Sequence, residues 1–144
     1  MKIFVVLLLL YSSIWAAKID DFAQKNHYFR DYNSALAVAY LSNKMLMLVI
    51  VADFCPWCKK FERKILANKD VSALVTHEFM PIIVDNYRDI GHFPNTLKTK
   101  KLPIVYFINP KTQKIIKKSS LYVKKSEFLK TLKEAINIFE ENNK

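Results

Sequence analysis

Two cysteines, Cys55 and Cys58, carry the only thiols in this 144-residue chain, and they lie three positions apart. An apolar run, 45–52, precedes them, and a segment typical of a helix begins at Pro56. A cysteine pair with this spacing between a strand and a helix is the layout of a thiol–disulfide redox site. With Pro56 at the first helical position, Cys55 becomes the N-cap residue. Backbone N–H groups and the helix dipole then favour its thiolate and lower the thiol pKa.

The spacing assigns different roles to the two sulfurs. We predict that Cys55 is the nucleophile. Cys58 lies one helical turn further on the same face, so it can attack the mixed disulfide and release the product. Three neighbours are expected to tune this chemistry: Pro56 by starting the helix, Lys59 by adding positive charge, and Asp53 by acting in the opposite sense. Because the charges of Lys59 and Asp53 oppose one another, the sequence does not set their net effect.

Two other uses of a cysteine pair fit the sequence less well. Structural zinc requires four ligands at defined spacings, and the three histidines lie far apart with no paired spacing. A purely structural disulfide between Cys55 and Cys58 would close a very small loop, so it would constrain the unfolded chain little. We therefore expect no metal site and no cofactor other than a redox-active disulfide. The histidines are His27, His77 and His92.

Residues 1–17 have the pattern of a secretory signal. Lys2 gives a positive start, 3–11 is an unbroken apolar run, and two alanines at the end are small enough for cleavage. An uncleaved membrane anchor is the alternative, although the apolar run is shorter than the ~20 residues that span a bilayer. We expect a signal peptide at 1–17, one domain at 18–144, and export of that domain.

The net charge of +10 comes mainly from lysines scattered along the chain. A lysine-rich solvated surface explains this charge better than a dedicated anionic partner does. No arginine cluster or interleaved aromatic stripe is present in the sequence, so nucleic-acid binding is not expected. The single glycine, Gly91, excludes a glycine-rich phosphate-binding loop.

The elements that must hold the cysteine pair follow an α/β order. Apolar runs predict three buried strands. In a fourth predicted strand, lysines flank the apolar residues, as is typical of an edge strand. Helical crossovers between the first two strands imply that these are parallel neighbours. Residues 18–31 show little periodicity and are expected to pack loosely, and 85–101 is a long polar connection. The predicted strands are 45–52, 79–84, 104–108 and 113–119. The predicted helices are 33–43 (capped by Asn33 or Ser34, with Leu36, Ala39, Tyr40 and Leu41 inward), 55–66, 68–77 and 126–141 (capped by Ser126).

The stretch 52–59, Ala-Asp-Phe-Cys-Pro-Trp-Cys-Lys, resembles the active site of the thioredoxin superfamily. It is most similar to exported thioredoxin-like domains with an Ala-Asp-Trp-Cys-x-x-Cys-Lys stretch, including the C-terminal domain of Dsb-type membrane proteins that carry reductant outward. Leu102-Pro103-Ile104 falls at the position of the family's cis-proline loop. The resemblance covers nearly all of the chain after the signal. It implies a thioredoxin-like α/β fold, with a central mixed sheet of about four strands flanked by helices.

The resemblance also implies a cis Leu102–Pro103 bond and a groove for extended substrate peptides. Departures from the family pattern occur at three positions. Val49 stands where many thioredoxins have a buried carboxylate, so proton transfer is expected through water or Asp53. Lys101 and Ile104 replace the usual Gly and Thr around the proline, which makes the groove bulkier and more basic. The substrate-binding residues implied are Phe54, Trp57, Leu102, Pro103 and Ile104.

The function implied is that of a periplasmic thiol–disulfide oxidoreductase acting on cysteine-containing exported proteins. A reductant is favoured, for example in cytochrome c maturation or disulfide reduction, with a membrane thiol-reductant as donor. A disulfide-forming oxidant or an isomerase is the first alternative, with an oxidant donor in place of the reductant. A peptide-binding or chaperone module without turnover is the alternative from another class.

Overall fold

The computed structural model describes residues 18–144, so the predicted signal peptide lies outside the described residues. Within them, no helix is both long enough and apolar enough to cross a membrane. The helices are α1 Lys18–Asn26, α2 Tyr32–Ser42, α3 Pro56–Phe61, α4 Lys69–Glu78 and α5 Lys125–Asn142, with a π-helical turn Glu62–Leu66 directly after α3 and a 3-10 turn Asn95–Leu97. The strands are β1 Met45–Val51, β2 Phe79–Asp85, β3 Ile104–Ile108 and β4 Ile115–Ser120.

The four strands form one mixed sheet in the order β2-β1-β3-β4. β1 is parallel to β2 and antiparallel to β3, and β3 is antiparallel to β4. The predicted fold is therefore confirmed, including the parallel pair and the edge position of the lysine-bearing strand. This topology brings the ends of β1, β2 and β4 and the start of β3 to one edge of the sheet, which we call the cysteine edge.

The core has two layers, one on each face of the sheet. Every residue of β1 is buried, and successive side chains point to opposite faces, which explains its unbroken apolar sequence. Met45, Met47 and Val49 belong to the cluster that includes side chains of α1, α4 and α5. Leu46 and Leu48 belong to the cluster on the α2 side. A strand buried on both faces gives the cysteine pair that follows it a rigid base.

The expectation that residues 18–31 pack loosely was wrong. They contain α1, with Ile19 and Ala23 in the core one helical turn apart. Tyr28 is buried beside them, and its ring packs edge-on against Phe22. The backbone of Phe29 then bridges to β2, with its N–H donating to Pro81 O and its carbonyl accepting from Ile83 N. The short amphipathic repeat of α1 was missed because it has only two fully inward positions.

Two helix starts also differ from the prediction. Asp31, rather than Asn33 or Ser34, caps α2, because its carboxylate accepts from both the backbone N–H and the hydroxyl of Ser34. Lys124 precedes α5, and Ser126 lies inside that helix.

The face that α2 buries was predicted only in part: Ala39 is buried and Leu36 packs against the core, as predicted. Tyr32, Ala35 and Ala39 face the core. Tyr40 and Leu41 are exposed, with Leu41 at 83%. The N-cap at Asp31 starts the helix earlier than predicted. Because the buried positions of α2 include small alanines, the helix can approach the sheet closely.

The buried hydroxyl of Tyr28 generates a stability prediction. It has no hydrogen-bond partner among the described residues, and burial raises its pKa. We expect Tyr28→Phe to raise the free energy of unfolding by about 1 kcal/mol, because it removes an unsatisfied polar group while keeping the ring. Urea unfolding measures this change. The exposed Tyr40→Phe is the control and should change stability by less than about 0.5 kcal/mol. Destabilisation by Tyr28→Phe would contradict the prediction.

Candidate active site

Cys55 and Cys58 form a disulfide at the start of α3, with their Cα atoms 5.2 Å apart. Cys55 is the N-cap residue, as predicted, with extended backbone angles and Pro56 at the first helical position. Its sulfur accepts the backbone N–H of Cys58 at 3.2 Å. Cys58 is fully buried, whereas Cys55 is only half-buried. The structure thus separates an accessible sulfur from a sealed one.

The loop before β3 meets the cysteine pair at the cysteine edge. The Leu102–Pro103 peptide bond is cis, as the resemblance implied. Leu102 and Cys55 are half-buried against the same core cluster. The carbonyl of Pro103 accepts the N–H of Leu121 at 2.7 Å, which joins this loop to the end of β4. Ile104, expected in the substrate groove, is buried in the core on the α2 side, so its side chain is not part of the exposed surface.

Exposed aromatic side chains surround the disulfide. Phe54 and Trp57, both expected at the groove, are 73% and 56% exposed. Each has a tyrosine neighbour: the ring centroids of Phe54 and Tyr87 are 5.3 Å apart, and those of Trp57 and Tyr122 are 5.4 Å apart. Tyr87 comes from the polar connection 85–101. Tyr122 was missed as a site residue, although the end of β4 falls at the cysteine edge.

A buried carboxylate, Asp85, holds the turn that leads into the cysteine pair. Its Oδ2 accepts the backbone N–H of Asp53 at 3.1 Å, and its Oδ1 accepts those of Tyr87 and Arg88 at 2.9 Å each. Arg88 Nε lies 3.0 Å from Asp53 Oδ2. The charge of Asp53, expected to oppose thiolate formation at Cys55, is therefore offset by an arginine. In the polar connection 85–101, the one residue whose position indicated a role was Asp85, because it lies at the end of β2, the strand parallel to β1.

A second buried carboxyl, Glu62, lies one helical turn beyond Cys58, because its backbone N–H bonds to Cys58 O. The side chain is 5% exposed, and its Oε2 has no hydrogen-bond partner in the part of the chain that the structure describes. Lys59 Nζ lies 3.9 Å from that oxygen. Burial raises the pKa of Glu62, the charge of Lys59 opposes this, and the charge of Asp53 adds to it.

Glu62 is a buried carboxyl next to the cysteine pair that the sequence analysis did not single out. Val49, which stands where many thioredoxins have a buried carboxylate, is buried in the core. The structure nevertheless supplies a buried carboxyl, from the turn after α3 instead of from β1. The sequence signal was a glutamate four residues after Cys58, inside the inward stripe of Phe61 and Ile65. Across residues 18–144, no three His, Cys, Asp or Glu side chains are grouped so as to hold a metal ion.

A cysteine disulfide that caps a helix beside a cis-proline, at the edge of this mixed sheet, defines a thiol–disulfide oxidoreductase of the thioredoxin type. The thioredoxin-like domain family matches residues 32–136, and the chain belongs to that family. No curated protein sequence matches the chain.

Solved structures agree on the fold. A thioredoxin from Thermus thermophilus is 21% identical with a TM-score of 0.63, and the match covers 74% of this chain and 85% of that one. The oxidoreductase DsbH is 18% identical with a TM-score of 0.63, covering 76% and 83%. The oxidised C-terminal domain of DsbD from Neisseria meningitidis is 18% identical with a TM-score of 0.59, covering 75% and 98%.

The bonds of Asp85 predict a large cost for its removal. Asp85→Ala leaves three backbone N–H groups without their acceptor, so we expect a loss of about 3 kcal/mol in the free energy of unfolding. Asp85→Asn keeps one acceptor oxygen and should lose less. Urea unfolding of the disulfide forms compares the three proteins. A cost below about 0.5 kcal/mol for Asp85→Ala would show that these bonds do not hold the turn.

The buried carboxyl of Glu62 predicts a pH dependence. Because the native pKa lies above the ordinary 4.5, the native state holds this proton more tightly than the unfolded chain does. Its stabilising contribution is complete below the unfolded pKa and is lost as the pH rises through the folded pKa. We expect the free energy of unfolding of the wild type to fall, relative to Glu62→Gln, as the pH rises above 4.5.

The free energy of unfolding is measured by urea denaturation of the disulfide forms at a series of pH values across this range. The exposed Glu141→Gln is the matched control and should follow the wild-type profile. If Glu62→Gln also followed the wild-type profile, the native protein would not hold this proton more tightly.

Proposed function

We propose that residues 1–17 are a signal peptide directing export, and that the domain at 18–144 reduces protein disulfides in the periplasm. The observation that carries the redox chemistry is the asymmetry of the cysteine pair. Cys55 reaches solvent at a helix N-terminus, Cys58 is sealed one turn behind it, and the cis-proline loop packs nearby. This arrangement suits attack by one sulfur and resolution by the other.

The reaction begins from the reduced dithiol. The Cys55 thiolate, stabilised by the Cys58 N–H at the helix start, attacks one sulfur of a substrate disulfide. That S–S bond breaks, a mixed disulfide forms, and one substrate thiolate leaves. The Cys58 thiolate then attacks the Cys55 sulfur and displaces the second substrate thiolate. Two electrons have passed to the substrate, and the protein is left with the Cys55–Cys58 disulfide.

Glu62 supplies the proton step in this scheme. Cys58 is buried and must lose its proton before it attacks. The carboxylate of Glu62, one turn further along the helix, accepts that proton, and Lys59 stabilises the carboxylate before transfer. Burial raises the pKa of this carboxyl, which makes it a stronger base than an exposed carboxylate.

Two observations support reduction over oxidation. Adjacent lysines and a missing buried acid would favour an oxidant by stabilising the thiolate. However, Lys59 lies beside Glu62, and Glu62 is itself a buried acid. The stretch 52–59 also resembles that of exported domains that carry reductant outward. Cysteine-containing exported proteins, such as a cytochrome c before haem attachment, are the proposed substrates, and a membrane thiol-reductant is the proposed donor.

The roles of the two cysteines are tested by paired substitutions. Cys55→Ser should abolish dithiothreitol-linked insulin reduction, because no accessible thiol remains. Cys58→Ser should accumulate mixed disulfides through Cys55, which dithiothreitol releases and mass spectrometry identifies. Full activity in Cys55→Ser would contradict the mechanism. Complexes that survive dithiothreitol would instead support a binding module without turnover.

The direction of electron flow has its own measurement. Equilibration with glutathione gives the reduction potential of the Cys55–Cys58 pair. A reductant should have a reduction potential close to that of thioredoxin, about −270 mV. A potential of about −120 mV would assign the protein to the oxidants. Cleavage of the signal is checked by N-terminal sequencing of the exported protein, which should begin near residue 18 and not at Met1.

A further inference from the structure

Two aromatic pairs stand on opposite sides of the cysteine pair. Tyr87 follows β2, one outer strand of the sheet, and its ring packs against Phe54 with the ring planes tilted by 38°. Tyr122 follows β4, the other outer strand, and its ring packs against Trp57 with the ring planes tilted by 44°. Because β2 and β4 both end at the cysteine edge, the exposed rings flank the disulfide from two sides.

A lysine ammonium group lies close to the rings of each aromatic pair. Lys60 Nζ lies 5.0 Å from the ring centroid of Trp57 and 4.9 Å from that of Tyr122. Lys98 Nζ lies 5.6 Å from the ring centroid of Tyr87. Both lysines are exposed, and neither is within 4 Å of a carboxylate in the described part of the chain, whereas Lys59 is close to Glu62. The rings hold the two ammonium groups near the disulfide, where they remain available to an incoming carboxylate.

A small apolar cavity opens between the Trp57 pair and the cis-proline loop. It has a volume of about 290 Å³ and is lined by Trp57, Leu102, Leu121 and Tyr122. Leu121 has a φ of 66°, the left-handed region that a leucine rarely adopts. Its backbone N–H is held by Pro103 O, and its side chain is 52% exposed. A strained backbone that keeps a leucine exposed beside a reactive centre suggests a role in binding.

We propose that this face selects substrate segments in which the reacting cysteine is accompanied by a large apolar residue and by carboxylates. The apolar side chain enters the cavity walled by Leu121 and Tyr122, and the carboxylates meet Lys60 and Lys98. Charge complementarity fixes the choice of an acidic segment, since Asp53, the acidic residue of the turn before Cys55, is neutralised by Arg88. A basic segment would face unbalanced like charges. This inference rests on the proposed function and specifies its substrate class.

The test uses the reduced protein, residues 18–144, and four oxidised peptides of equal length. Each peptide has one cysteine, flanked either by aspartates or by lysines, and by either leucine or alanine. It is supplied as its symmetrical disulfide dimer, so that two equivalents of the same peptide thiol are released for each Cys55–Cys58 disulfide formed. Trp57 is the only tryptophan in 18–144, so its fluorescence follows formation of the Cys55–Cys58 disulfide. We expect the aspartate peptides to react about tenfold faster than the lysine peptides at low salt. About 0.5 M salt should shrink this ratio, while the preference for leucine persists.

Substitutions separate the two parts of the surface. Lys60→Gln and Lys98→Gln should each lower the aspartate-to-lysine rate ratio by about threefold, because each removes one ion pair of modest strength. Lys133→Gln, an exposed lysine on α5, removes the same charge elsewhere and should leave the ratio unchanged. Leu121→Ala and Leu121→Gly should lower the leucine-to-alanine ratio and leave the charge ratio intact. Ratios within one variant cancel any change in the intrinsic reactivity of Cys55.

The outcomes distinguish a failure of this inference from a failure of the proposed redox function. Equal rates for the four peptides, or faster reaction of the lysine peptides, would overturn the inference while leaving the redox function in place. The same holds if Lys133→Gln lowers the charge ratio as much as Lys60→Gln does, because the effect would then be one of net charge. If the wild type exchanges with neither dithiothreitol nor any peptide, the proposed function itself fails.

Discussion

The pairing of β1 with a parallel strand on one side and an antiparallel strand on the other is the constraint on which the site depends. All seven residues of β1 are apolar and buried, so a one-residue slip would exchange one apolar face for another. Bonds at the cysteine edge therefore add to the strand pairing in holding the register. Asp85 ties the end of β2 to Asp53, and Leu121 ties the end of β4 to Pro103. The bonds that position the cysteine pair also align the sheet.

Two charges next to the cysteine pair are compensated locally. Arg88 lies beside Asp53, and Lys59 lies beside Glu62. Opposite charges this close stabilise each other, and they cancel most of each other's field a few ångströms away. Asp53 and Lys59, the charged residues expected to tune Cys55, therefore act on it less than their formal charges imply. Counting the charges around a Cys-x-x-Cys motif is a poor guide to redox direction for this reason.

Much of this structure was predictable where local chemistry and tertiary packing agree. The apolar run of β1, the proline that starts α3 and the lysines of β4 each indicated their element correctly. What failed depended on contacts distant in sequence. The helix α1 is stabilised by the sheet it covers, and its own pattern is too short to be recognised. Glu62 has the spacing of an inward residue, but a carboxyl is seldom buried, so its burial in the π-helical turn was not predicted.

The backbone bridge at Phe29 bears on how copies of the protein meet one another. An open sheet has two outer strands, each of which can pair with a strand of another molecule. Here the chain segment after α1 occupies the middle of β2 through two backbone bonds. On the opposite side, β4 carries Lys118 and also Lys117, which pairs with Glu134 on α5. Edge-to-edge pairing is thus hindered by the segment at Phe29 on one side and disfavoured by a lysine on the other, whereas the cysteine edge has neither feature.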